Sequence, residues 1–297
     1  MKVSLGERIF GVLNIIFMLL FAVVMLYPYL NQLAVSLNDG MDSALGGITI
    51  FPRVFTLENY KSVLINPKIP RAFFVSVSKV ILNVVIGIVV SFSAAYALTR
   101  KSFKLRRHIT RYFAVTMYIS AGVVPNYLLY RTLGLINNFW VYILPFTFSF
   151  YNMIIIRSFI QELPGSLEES ALIDGANEIV VMFKIIIPLS KPVLATVALW
   201  IAVGQWNEYS QTLYYITDRS LYSLQYLMMS ILKQNETLSK AISEAAALGG
   251  LAETSNQPTS ESIKAAMFII TTLPIICVYP FMQKYFIKGM TLGAVKE

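Results

Sequence analysis

Side chains that carry chemistry are scarce in this sequence. Its 297 residues include one cysteine, Cys277, and one histidine, His108. A lone cysteine excludes an internal disulfide, and so thin a supply of sulfur and imidazole leaves no expected metal site. Charged residues make up only 13% of the chain, against roughly a quarter in soluble domains. No carboxylate pair falls within an apolar stretch, so nothing convergent suggests acid–base catalysis. A G-x-x-x-x-G-K-[ST] phosphate loop is also missing, so the chain has no nucleotide cradle of that type. The sequence reads as a non-enzyme with no cofactor of its own.

What is abundant is apolar surface, with 56% of residues hydrophobic. About 20 apolar residues as a helix cover a bilayer core of roughly 30 Å, and in lipid the backbone must satisfy itself. The sequence predicts an all-α integral membrane protein with six spans in one transmembrane domain, 1–297. The spans are expected at about 9–30, 72–98, 109–130, 139–160, 185–205 and 263–286. The first is too long for a signal peptide and ends in Tyr27-Pro28-Tyr29 rather than at a small-residue cleavage site. Between spans lie outer segments at 31–70 and 206–262 and an inner loop at 161–184. One amphipathic helix is expected at 221–232.

The net charge of +8 follows membrane sidedness. The densest basic run, Arg100-Lys101-Ser102-Phe103-Lys104-Leu105-Arg106-Arg107, belongs on the cytoplasmic side, and six spans then leave both termini inside. These basic residues punctuate apolar spans and form no aromatic-interleaved patch, so nucleic acid is not an expected partner. The expected location is a bacterial cytoplasmic membrane, multi-pass, in contact with lipid.

Several polar residues stand inside apolar stretches. Lys79 either borders a polar path through the bundle or extends its ammonium toward the interface or a neighbouring helix. Asn83, Tyr118, Asn126, Tyr151 and Asn152 either line a polar path through the bundle or bond helix to helix. Trp206, Asn207 and Glu208 stand at the expected outer face, where tryptophan also serves as a belt residue.

The inner loop carries the most specific pattern. Glu168, Glu169, Ser170, Ala171, Leu172, Ile173, Asp174, Gly175 and Ala176 are followed by Ile185-Ile186-Ile187-Pro188. This resembles the EAA loop of ATP-binding-cassette (ABC) importer permeases, E-A-A-x3-G-x9-I-x-L-P, with Ser170 in place of the middle alanine and Ile187 in place of the leucine. Gly46-Gly47-Ile48-Thr49, Phe51-Pro52, Phe55-Thr56-Leu57-Glu58-Asn59-Tyr60 and Pro188-Leu189-Ser190-Lys191-Pro192 are similar to the maltose-type smaller permeases. Tyr279 to Phe286 is similar to the subgroup importing complex oligosaccharides.

The resemblance implies a type I importer permease fold. It also implies a second homologous permease, two nucleotide-binding subunits that hold ATP and magnesium, and an extracytoplasmic sugar-binding protein. It makes Glu168, Glu169, Ser170, Ala171, Asp174, Gly175 and Ala176 the motor-docking knob, and Trp206, Asn207 and Glu208 candidate receptor contacts. It sends the tail with Lys288, Gly289, Gly293 and Lys296 toward the nucleotide-binding subunits, although a frayed terminus would look the same. The competing class is an ion-coupled secondary transporter, for which no inverted repeat is visible.

Overall fold

The computed structural model describes residues 5–247 and 259–294, and among them the fold is helical, with one isolated bridge, Asn38 to Phe55, and no strand. The described residues form two compact units, one within 1–67 and 228–274, the other within 68–227 and 275–297.

The first unit begins with α1 (Leu5–Ser36). Its apolar side chains from Ile9 to Tyr29 are largely exposed, from Phe10 at 71% to Tyr27 at 45%, as suits a surface facing lipid or another chain. Short helices α2 (Gly40–Ala44) and α3 (Glu58–Leu64) follow. Asn38 organises the stretch between α1 and α4 from a fully buried position. Its amide donates to Asp39 O, Asp42 Oδ2 and Ser43 Oγ, and its oxygen accepts the backbone N–H of Arg53 at 2.7 Å and Val54 at 2.8 Å. Asn59 donates to the carbonyls of Ser36 and Asn38, and Tyr60 shares a 2.7 Å hydrogen bond with Ser36. Gly46 and Gly47 turn with φ of +76° and +75°, a region costly for other residues.

The second unit is built on α4 (Lys68–Thr99). Ser76, Lys79, Asn83, Gly87, Ser91 and Ala95 are all buried and recur at near-helical spacing along it. Small residues there permit close approach; a Cβ on Gly87 would meet Ile201 Cδ1 at 3.2 Å. After α4 come α5 (Arg106–Thr116), α6 (Val123–Thr132) and α7 (Phe150–Glu162). Then follow α8 (Gly165–Ile173), α9 (Glu178–Val181), α10 (Ile187–Leu189), α11 (Lys191–Asn207) and α12 (Ser210–Tyr215). Phe92, Met153, Ile156, Ile186 and Val197 share one core cluster, which locks α4, α7 and α11 together.

Among the described residues three helices are long and apolar enough to cross a membrane, 6–36, 68–99 and 260–280, or up to five if each of two bent pairs is one span. The expected spans at 9–30 and 72–98 fall inside α1 and α4. The stretch expected as a third span, 109–130, is instead divided into α5 and α6, with Gly122 at φ +84° between them. Composition hid this break, because Ser120-Ala121-Gly122 interrupts helix without interrupting apolarity. The stretch at 139–160 is two short 3-10 turns followed by α7 at a 46° bend, where Pro145 and the Ser149 N-cap stand. The stretch at 185–205 bends by 74° at Ser190, between Pro188 and Pro192.

In the C-terminal part, α13 (Leu224–Ala247) extends well beyond the expected 221–232 helix. The last helix, α14 (Ser260–Ala294), contains the expected 263–286 span and carries Gly289 and Gly293 within its helical backbone. Lys288 also falls on that helix, while Lys296 and residues 248–258 of the expected outer segment lie outside the described residues.

Candidate functional site: the loop between α7 and α11

Pro164 stops α7 and sets up α8, since the residue before a proline avoids helical angles and proline itself fits a helix start. At its far end α8 closes in a Schellman arrangement. Ala176 N–H donates to Ala171 O at 3.0 Å, and Gly175 N–H to Leu172 O at 3.1 Å. Gly175 holds φ +85°, and a Cβ there would meet nothing within 4 Å, so the requirement for glycine is conformational rather than steric. Asn177 then caps α9 by accepting Val180 N–H at 2.9 Å. A wide π turn, Met182–Ile186, delivers the chain into α10 and α11.

The motif positions divide by face. Ala171 and Ala176 pack partly buried against the main core cluster, where a larger side chain would push the knob outward. Glu169, Ser170, Asp174 and Gly175 are exposed. Glu168 turns inward: the guanidinium of Arg100 grips both its carboxylate oxygens, one through Nη1 and the other through Nη2 at 3.0 Å. Arg100 lies 3.9 Å from the centroid of the Tyr96 ring, and Tyr96 O–H donates to Glu178 O at 3.1 Å. One residue cluster at the end of α4 therefore holds both α8 and α9. Around the exposed acidic positions is an apolar rim of Leu172, Ile173, Ile179 and Phe183, of which Ile173 is 85% exposed.

Sequence reasoning missed Arg100, Tyr96 and this rim. In the sequence Arg100 belongs to a basic run, and only its place beside the end of α4, where the loop returns, marks it as a partner for Glu168. Ile173, Ile179 and Phe183 could have been noticed as large apolar residues in a loop, where lone exposure is ordinary and contiguous exposure is not.

The candidate path residues separate into two groups. Lys79 is fully buried; its ammonium donates to Glu208 O at 2.9 Å and lies 5.3 Å from the Tyr142 ring centroid. Asn83, also fully buried, donates to the carbonyls of Lys79 and Tyr142 at 2.9 Å each. These two act together as bonds between segments of the second unit. Tyr118 is 83% exposed and Tyr151 50% exposed, the latter 6.0 Å from the Trp200 ring. Asn126 and Asn152 are half-buried, and Asn152 N–H meets the Ser149 cap.

Trp206 is buried, edge-on to Phe73 at 6.1 Å, where a belt residue would face lipid headgroups. Asn207 is exposed, and its amide donates to Val203 O. The Glu208 carboxylate caps α12 by accepting Ser210 N–H at 2.6 Å.

Among the described residues, then, long apolar helices pack on a core that ends in an exposed two-helix knob. Residues 83–292 match the family described as "Binding-protein-dependent transport system inner membrane component", and the chain belongs to that family. It is 38% identical over 289 residues to Protein LplC of Bacillus subtilis, covering 97% of this chain and 95% of that one. It is 32% identical over 290 residues to the polygalacturonan/rhamnogalacturonan transport system permease protein YtcP of the same organism, covering 98% and 99%. Among solved structures it is similar to a chain of a bacterial ABC transporter involved in import of the acidic polysaccharide alginate. There the TM-score is 0.82 at 28% identity, covering 96% of this chain and 99% of that chain. The chain is thus an ABC importer permease subunit with the type I fold. Ion-coupled transport, the competing class, has no support from the relatives.

Proposed function

We propose that this permease imports oligosaccharides released from polysaccharides, with a second homologous permease, two ATP-binding subunits and an extracytoplasmic sugar-binding protein. The names of the relatives support the substrate class. The knob supports the coupling, and one observation carries it: an exposed acidic and apolar surface built on the same core that holds α4, α7 and α11.

Closure of an ATPase pair moves whatever is docked in its grooves. The Arg100–Glu168 clasp, the Tyr96–Glu178 bond and the packing of Ala171 and Ala176 tie the knob to that core at separate points. A push on the knob is therefore transmitted as a body movement of packed helices rather than absorbed by a soft loop. In this reading the knob and the basic end of α4 are cytoplasmic, and α2 and α3 face outward with Trp206 to Glu208. The ATP and magnesium belong to the partner subunits, and the tail beyond Lys288 reaches toward them.

The test is uptake of labelled oligosaccharides by proteoliposomes containing the purified complex with its binding protein. Uptake that needs ATP, magnesium and the binding protein supports the reading. Uptake driven by an ion gradient without ATP overturns it.

A further inference from the structure

A second polar site lies apart from the knob. Arg106, Arg107, Thr110 and Arg111 on α5, with Arg157 and Gln161 one turn apart on α7, enclose an open cleft of about 340 Å³. Four arginines line it, of which Arg106 also donates from Nη1 to Thr99 O at 3.5 Å, and among the described residues none of them forms an ion pair with a carboxylate. Arg157 is held by a 3.0 Å bond from Nη1 to Thr110 Oγ1, while its Nε is buried with no hydrogen-bond partner. Membrane sidedness accounts for basic residues at this end of the spans. It does not account for like charges facing one another across a cleft with a buried donor left open.

We propose that this cleft binds the phosphate of an anionic phospholipid headgroup. The planar guanidinium fork matches a phosphate's oxygens and supplies two donors per contact, and basic pockets between membrane helices suit anionic headgroups. A lipid is favoured over a soluble anion because α5 carries exposed apolar residues beside the arginines. Tyr112, next to Arg111, is 66% exposed and Val115, one turn further along α5, is 61% exposed, which leaves apolar surface for acyl chains to contact. On its other face Ile109 and Phe113 pack against the core cluster, so a lipid held here would brace α5 against α7. The proposal needs only the membrane embedding of the chain and is independent of the sugar and motor assignments.

The experiment is native mass spectrometry of the delipidated full-chain complex in detergent, titrated with phosphatidylglycerol, with phosphatidylcholine and with inorganic phosphate. Retained phosphatidylglycerol in preference to phosphatidylcholine, not displaced by millimolar inorganic phosphate, is the expected result. Arg157→Gln should reduce that retention roughly tenfold, the scale of one charged hydrogen bond. Because Arg157 is partly buried, the exposed pair Arg107→Gln with Arg111→Gln provides a second variant that leaves packing alone, and it should show a similar loss. Lys101→Gln with Lys104→Gln removes equal charge outside the cleft and should change retention little. Equal losses from both pairs would reduce the effect to a diffuse surface field and overturn the site. Displacement by inorganic phosphate, or binding of phosphate alone, would overturn the lipid assignment, as would a partner subunit's carboxylate found in the cleft.

Discussion

Arg100 and Glu168, 68 residues apart in sequence, form a two-pronged ion pair that fastens the first turn of α8 to the end of α4. Their side chains are only 18% and 23% exposed, so the pair is screened less than a surface bridge. It fixes the angle at which the knob leaves the core, and its loss should be felt as loop motion before any loss of fold.

Arg100→Gln should therefore raise hydrogen exchange across 165–173 while leaving α4 protected. A charged hydrogen bond is worth about 1.5–3 kcal/mol, so local opening should rise roughly tenfold or more. Arg100→Lys keeps the charge but lacks the fork and should fall between. Unchanged exchange in both variants would show that the clasp does not hold the loop.

Gly175→Val should be costly through the backbone alone, since no neighbour stands within 4 Å of a Cβ there. Residues forced into such angles cost about 1–3 kcal/mol. Gly175→Asn should be milder, because asparagine visits left-handed angles more readily. Coupled ATPase assays should rank glycine, asparagine and valine in that order; equal activity in all three would remove the conformational argument.

Ile173→Asp and Ile179→Asp place charge on the exposed apolar rim. Neither side chain supports the core, so membrane insertion and melting temperature should stay within ordinary surface limits. Recovery of the ATPase subunits on a tagged chain should drop severalfold. Full recovery would show that the rim is not a docking surface.

Asn38→Ala should unsettle the segment between α1 and α4 by about 1–3 kcal/mol, because it removes the side-chain oxygen that accepts the part-buried N–H groups of Arg53 and Val54. The segment also has an acid limit. Hydrogen bonding from Asn38, and then the charge of Arg53, hold the Asp42 carboxyl below its ordinary value of 3.8. A depressed carboxyl stabilises the fold above that ordinary value and loses its contribution as pH falls through the lower folded one. Melting of the purified chain should thus be level near neutrality and decline in acid, with the decline reduced in Asp42→Asn.

The sequence made the loop visible and hid what anchors it. Glu169, Gly175 and Pro188 could be recognised because motif spacing is local, whereas the partner of Glu168 is set by how α4 returns to the loop. The same limit applies to Lys79, whose apolar surroundings permitted a path or a snorkelling role. Its bond to Glu208 O joins residues 129 apart, which no local pattern encodes. Long apolar runs were read as uninterrupted spans where Gly122, Ser149 and Ser190 mark breaks or bends, because hydropathy averages over a single turn residue. Helix α1 was legible over 9–30, but it runs on to Ser36 through residues expected in the outer segment and holds Pro28 within it, because tertiary contacts rather than hydropathy set its end.

The central claim is that the knob docks an ATP-hydrolysing subunit, and a site-specific cross-link tests it most directly. Ser170→Cys in a Cys277→Ala background places a thiol on the exposed face of α8, and Leu45→Cys places one on the outer segment, where Leu45 is 83% exposed. With a short bifunctional reagent applied to the complex in membranes, Ser170→Cys should give an adduct containing an ATPase subunit, with a yield that changes when ATP is bound, and Leu45→Cys should give none. An ATPase adduct from Leu45→Cys, or its absence from Ser170→Cys while the complex remains assembled, would contradict the account.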